Sequence, residues 1–130
     1  MKEKLSANEA LRFIRSKLMP ELGLVSLDSS TRTKGQAFAI GGESGRQFLL
    51  IMGNEAKGGA QQTRIIVEKM LSPPAIAGTR FSMEPARSAR VNQQKTSLGH
   101  ANPFRNGNQS SFYVSNLDAL AELLRWYAKK

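Results

Sequence analysis

The chain has no cysteine and a single histidine, His100, among its 130 residues. The absence of cysteine excludes disulfides, zinc–thiolate sites and catalysis by a thiol. One histidine also excludes a metal site that draws several histidines from the same chain. The sequence therefore predicts no metal site and no cofactor.

Long apolar runs are also absent, since the longest, residues 48–52, has only five members. A helix that spans a bilayer needs about 20 apolar residues, so no membrane span is expected. Residues 1–22 are amphipathic and carry three glutamates, unlike the continuous apolar segment of a signal peptide. Together with the lack of cysteine, these features predict an intracellular, cytoplasmic protein.

Acidic residues are scarce, with ten Asp and Glu against 19 Lys and Arg and a formal net charge of +9. Such an excess favours polyanionic partners. Nucleic acid is the preferred partner, with DNA placed before RNA, and an acidic protein is the alternative. A third interpretation is that the charge only maintains solubility. The oligomeric state cannot be read from the sequence.

Periodic apolar residues predict two terminal helices around a set of strands. Ser6 and Glu9 form a capping-box pattern, and the helix that they open is predicted to end at Pro20. Strands are predicted at 22–28, 36–40, 47–52 and 112–114, with brief ones at 81–83 and 89–92.

Two further segments complete the predicted fold. Residues 63–71 fit either a strand or a short helix, and helix is preferred because Pro73 and Pro74 supply a stop. From residue 117 to the end, leucines and Tyr127 recur at helical spacing. The sequence therefore predicts one α+β domain over residues 1–130. Its mainly antiparallel sheet carries the N- and C-terminal helices on one face, and residues 73–110 form a long, polar, irregular region.

The irregular region is the first candidate site, because residues 76–107 hold five cations and one acid. Arginine suits phosphate oxygens and guanine edges, and amides bind bases or phosphates. We therefore predict nucleic-acid contacts at Arg80, Arg87, Arg90, Asn92, Gln94, Lys95, Arg105 and Asn106. Phe104 is expected to stack on bases or wedge between them. The alternative is a flexible loop that is polar because it is solvated.

The second candidate site is Glu55 and Lys57, a Glu-x-Lys pattern directly after a predicted strand. In an αβββαβ order this pattern resembles the core of PD-(D/E)xK nucleases. The resemblance implies carboxylates that bind magnesium and a lysine that orients the attacking water. That family needs another acid near the start of the second strand, where this chain has Lys34, Gly35 and Gln36.

These observations rank three functions. A nucleic-acid-binding protein without catalytic activity comes first, because the net charge and the acid-poor segment both favour it. A protein-interaction module or inhibitor that docks on an acidic or nucleic-acid-binding partner comes second. A degenerate nuclease of the PD-(D/E)xK type comes third.

Overall fold

The structure is a computed structural model that describes residues 5–28, 35–51, 63–83, 91 and 94–129. Within these ranges it contains one sheet of six strands, an N-terminal helix and a C-terminal helix. The predicted α+β fold is confirmed. In the same part of the chain, no helix has the length and apolar character needed to cross a membrane.

All neighbouring strands in the sheet are antiparallel. The strands are β1 Leu24–Ser26, β2 Gly35–Ile40, β3 Gln47–Ile51, β4 Thr63–Val67, β5 Thr79–Ser82 and β6 Ser110–Val114. They lie in the order β1-β2-β3-β4-β6-β5, so β1 and β5 form the edges. The strands predicted near 24, 38, 49, 81 and 112 are confirmed, with small shifts at their ends. Of the brief strand predicted at 89–92, only Val91 is described, and it lies in a turn.

The helix preferred for residues 63–71 is wrong, because Thr63–Val67 is strand β4. The β-branched run Ile65, Ile66 and Val67 favours a strand. Hydrogen bonding to β3 on one side and β6 on the other stabilises the strand over a helix. The prolines at 73 and 74 therefore follow an irregular stretch rather than a helix end.

The N-terminal helix runs past Pro20, which corrects its predicted end. It consists of α1 (Ala7–Phe13), a π-helical stretch (Ile14–Leu18) and α2 (Met19–Leu22). In the wider π turn the Met19 N–H donates to the Ile14 carbonyl, and the helix continues through a proline that has no N–H of its own. The helix ends at Gly23, whose φ of 65° is the left-handed conformation that glycine adopts without strain.

The capping box at the start of α1 is confirmed. The Glu9 N–H donates to Ser6 Oγ at 3.1 Å, and the Ser6 N–H donates to Glu9 Oε1 at 3.2 Å. The C-terminal helix, α3 (Leu117–Lys129), begins where the Ala119 N–H donates to Asn116 Oδ1.

Both terminal helices pack on one face of the sheet, as predicted. The main core joins α1, the π-helical stretch and α3 to residues of β2, β3, β4 and β6. Leu120, Leu124 and Tyr127 of α3 are fully buried in it. The Tyr127 hydroxyl also donates to the Gln47 carbonyl at 2.8 Å and accepts from the Glu68 N–H at 3.1 Å.

A candidate nucleic-acid interface on the sheet

The sheet face opposite the helices has an apolar half and a polar half. Leu27, Ala37, Ala39, Leu49, Ile51 and Ile66 form the apolar half, and Val91 and Phe104 cover it. We call the segment 94–109 the covering segment, because Phe104 belongs to it. The polar half lies at β4, β6 and β5, where residues alternate with those that face the helices. It carries Arg64, Ser111, Tyr113, Arg80 and Ser82.

Three of these residues form a line across three adjacent strands. In the strand register Tyr113 of β6 pairs with Arg64 of β4 on one side and with Arg80 of β5 on the other. The guanidinium carbon of Arg64 lies over the Tyr113 ring, 5.2 Å from its centroid, and that of Arg80 lies 4.3 Å from it. We call these three residues the Arg–Tyr–Arg row.

The two arginines differ in how firmly they are held. Arg64 is half-buried, and its Nε and Nη2 both donate to Ser111 Oγ, at 3.0 and 2.9 Å. Arg80 is exposed, and its described contact is the one with the Tyr113 ring. The aromatic ring attracts both cations through its quadrupole. The row therefore places two positive charges side by side on the polar half of this face.

Neither arginine of the row is neutralised by a carboxylate within the described part of the chain. The carboxylates with a basic partner there are Glu21, which pairs with Arg125, and Glu43, whose Oε1 lies 3.9 Å from His100 Nε2. An arginine has five N–H donors, of which Arg64 uses two on Ser111. The row thus retains both its charge and free donors for an external anion.

No family model, curated protein or solved structure matches this chain. Arguments about its function therefore depend on its own residues.

The structure places the predicted contact residues in different surroundings. Arg80 is brought together with Arg64 and Tyr113 in the row. Gln94 and Lys95 are exposed, and Lys95 forms an isolated β-bridge with Ala101. Arg105 is half-buried in a short 3₁₀ turn, Arg105–Gly107. Arg87, Arg90, Asn92 and the side chain of Asn106 lie outside the described residues.

The role expected for Phe104 is wrong, because its side chain is only 1% exposed and packs against the apolar half of the sheet. A ring buried in this way has no face on which a base could stack. The covering segment has few large apolar residues, and burial of this one attaches it to the sheet.

Amides of the covering segment bond to its own backbone and to that of Val91. Asn102 Nδ2 donates to the Val91 carbonyl at 2.9 Å, and its Oδ1 accepts from the Phe104 N–H at 2.9 Å. Gln109 Nε2 donates to the Phe104 carbonyl at 3.1 Å, and Asn108 Nδ2 donates to that of Pro103 at 2.9 Å. These side chains fix the fold of the segment, so a flexible, solvated loop does not describe this part of the region.

Asp28 joins the covering segment to the sheet. Its carboxylate is 3% exposed, and its two oxygens accept from the Ala37 N–H and the Ser97 N–H, each at 2.8 Å. A carboxyl group that accepts these two backbone N–H groups satisfies donors that would otherwise be buried without a partner. Asp28 therefore links β2 to the turn that precedes His100.

Glu55 and Lys57 lie outside the described residues. Elsewhere, the ranges that the structure describes contain no group of three His, Asp or Glu side chains placed to hold a metal ion.

The sequence indicated one of the three residues of the row. Charge indicates Arg80, whereas the sequence favours a helix at Arg64 and gives Tyr113 no role beyond its predicted strand. For Tyr113 the available signal is the alternation of polar and apolar residues along Ser110–Val114, which is typical of a strand with one buried face. For Arg64 there is no such signal, because the three residues that follow it are all buried. Which strands are neighbours, and in what register, is not encoded locally.

Proposed function

We propose that the protein binds nucleic acid and that the Arg–Tyr–Arg row is the centre of the interface. The observation that carries this proposal is the pair of arginines held against Tyr113 without an acidic partner in the described part of the chain. The net charge of +9 supports it, because an excess of positive charge attracts a polyanion to the protein.

The chemistry of the row suits a nucleic acid. A guanidinium group presents a planar fork of donors that matches two phosphate oxygens, and it also stacks on flat π systems. Arg80 is exposed and can do both, whereas Arg64 is pre-ordered by Ser111 and loses less conformational entropy on binding. Lys95 and Arg105 add positive charge on the covering segment, which packs on the apolar half through Phe104.

Other parts of the proposal depend on the sequence alone. Arg87, Arg90, Asn92 and Asn106 remain proposed contact residues because of their place in the acid-poor segment. DNA is proposed before RNA, and the protein is proposed to have no catalytic activity and to act in the cytoplasm.

Fluorescence anisotropy of a labelled oligonucleotide, titrated at several salt concentrations, tests the proposal. Arg80→Ala is the informative variant, and Arg12→Ala is its matched control, since both residues are exposed arginines and Arg12 lies on the N-terminal helix. Loss of one phosphate contact makes the slope of log K against log salt shallower by about 0.7 on single strands or 0.9 on duplex. We expect this change for Arg80→Ala and a smaller one for Arg12→Ala.

An acidic protein is the alternative partner, because the same unpaired guanidinium groups would also bind carboxylates. It predicts weak binding to every oligonucleotide, with complete competition by heparin. In that case Arg80→Ala and Arg12→Ala would weaken oligonucleotide binding equally.

A further inference from the structure

The Arg–Tyr–Arg row lies at one edge of the sheet. Arg80 is on the edge strand β5, Tyr113 is one strand in and Arg64 is two strands in. With strands about 4.8 Å apart, the row spans about 10 Å. In a duplex each base face is covered by the stacked neighbouring bases, so the row could contact only phosphates, sugars and groove edges. In a single strand the faces of the bases are open as well.

An apolar cluster borders the row on the side of β3. Ile66, the next residue after Arg64 on the same face of β4, belongs to the cluster that Val91 and Phe104 cover. The row therefore lies between this covered cluster and the edge strand β5, and the exposed guanidinium group of Arg80 is at the edge.

We propose that the row binds single-stranded nucleic acid, with phosphates on the guanidinium donors and an unpaired base stacked on the outer face of Arg80. This inference rests on the proposed nucleic-acid-binding function and deepens it. Unpaired bases stack on guanidinium planes as well as on aromatic rings. The exposed guanidinium of Arg80, backed by the Tyr113 ring at 4.3 Å, offers such a plane.

Tyr113 is a positioning residue in this arrangement. Both arginines lie over its ring, so the ring orders the two guanidinium groups while they contact the ligand. Its aromatic character is then required, and its hydroxyl is not. Tyr113→Phe should retain the single-strand preference, and Tyr113→Leu should lose it.

The test compares three probes of one length, about 16 nucleotides, by anisotropy at about 50 to 200 mM salt. The probes are a single strand, the duplex of the same sequence and a strand of abasic sites. The single strand is tested once as DNA and once as RNA. We expect one of the single strands to bind at least about fivefold tighter than duplex, because stacking of one base is worth roughly five- to a hundredfold in affinity. The abasic strand should lose that advantage.

The variants separate this inference from the function on which it rests. Arg80→Ala and Tyr113→Leu should reduce the preference for single strands, while Tyr113→Phe and Arg12→Ala should keep it. Equal affinity for single strand and duplex, with both weakened by Arg80→Ala, would overturn the single-strand inference and leave nucleic-acid binding in place. Equal binding of the base-containing and abasic strands would overturn the stacking contact. Absence of binding to all three probes would overturn both proposals.

Discussion

Phe104→Ala is expected to destabilise the protein. The sequence suggests that Phe104 stacks on bases, whereas in the structure it is buried against the sheet. Its side chain is 1% exposed, and together with Val91 it covers the apolar half of the sheet. Phe→Ala in a packed core costs about 3–5 kcal/mol of unfolding free energy. The cluster is small and lies under a surface segment that can relax into the cavity, so we expect a value near the lower end, about 3 kcal/mol.

Urea unfolding followed by circular dichroism measures this loss. With an m-value of about 1–3 kcal/mol/M, a loss of 3 kcal/mol lowers the urea midpoint by about 1–3 M. Leu98→Ala is the matched control, because Leu98 lies in the same covering segment and is 55% exposed. A surface change of that kind stays within about 0.5 kcal/mol. If Phe104→Ala unfolded like Leu98→Ala while oligonucleotide binding was lost, the base-stacking role expected from the sequence would be right and the packed role wrong.

Three further outcomes are expected. Leu124→Ala in α3 should lose about 2–5 kcal/mol, since Leu124 is fully buried, whereas the exposed Glu122→Ala should melt like the parent. Burial raises the pKa of Tyr127, so stability is complete below the unfolded-state pKa of about 10 and falls as the pH rises above it. Tyr127→Phe, which loses two hydrogen bonds to backbone groups, should cost about 1–3 kcal/mol at pH 7 and show a flatter decline of stability at alkaline pH. Plasmid and single-stranded DNA incubated with magnesium or manganese should stay intact; cleavage that Glu55→Ala abolishes would contradict this.

The elements that sequence predicts well are those fixed by local chemistry. The capping box of Ser6 and Glu9, the period of the C-terminal helix and the continuous apolar run of β3 each depend on residues within a few positions of one another. These signals suffice for an antiparallel sheet with both helices on one face.

The wrong predictions concern residues whose state depends on distant partners. Pro20 stays inside a helix because a π turn precedes it and because Leu18, on that turn, is buried in the main core. Thr63–Val67 is a strand because β3 and β6 flank it. Phe104 is buried because one half of the second sheet face is apolar, and no local sequence pattern around Phe104 indicates that.

In the candidate site, too, local sequence indicates one residue, and tertiary pairing determines the position of the others. Arg80 can be predicted, because the sequence shows that the segment around it is poor in acidic residues. Its neighbours Arg64 and Tyr113 come from positions 16 residues before it and 33 after it in the chain, and only the order β4-β6-β5 places them side by side. Predicting the row needs the strand register, which tertiary pairing sets.

The salt dependence of oligonucleotide binding by Arg80→Ala, beside the parent and Arg12→Ala, tests the central claim most directly. If the row contacts a single strand, the slope of log K against log salt becomes shallower by about 0.7 for Arg80→Ala and changes less for Arg12→Ala. If both variants shift the slope and the affinity by the same amount, the row is not the interface.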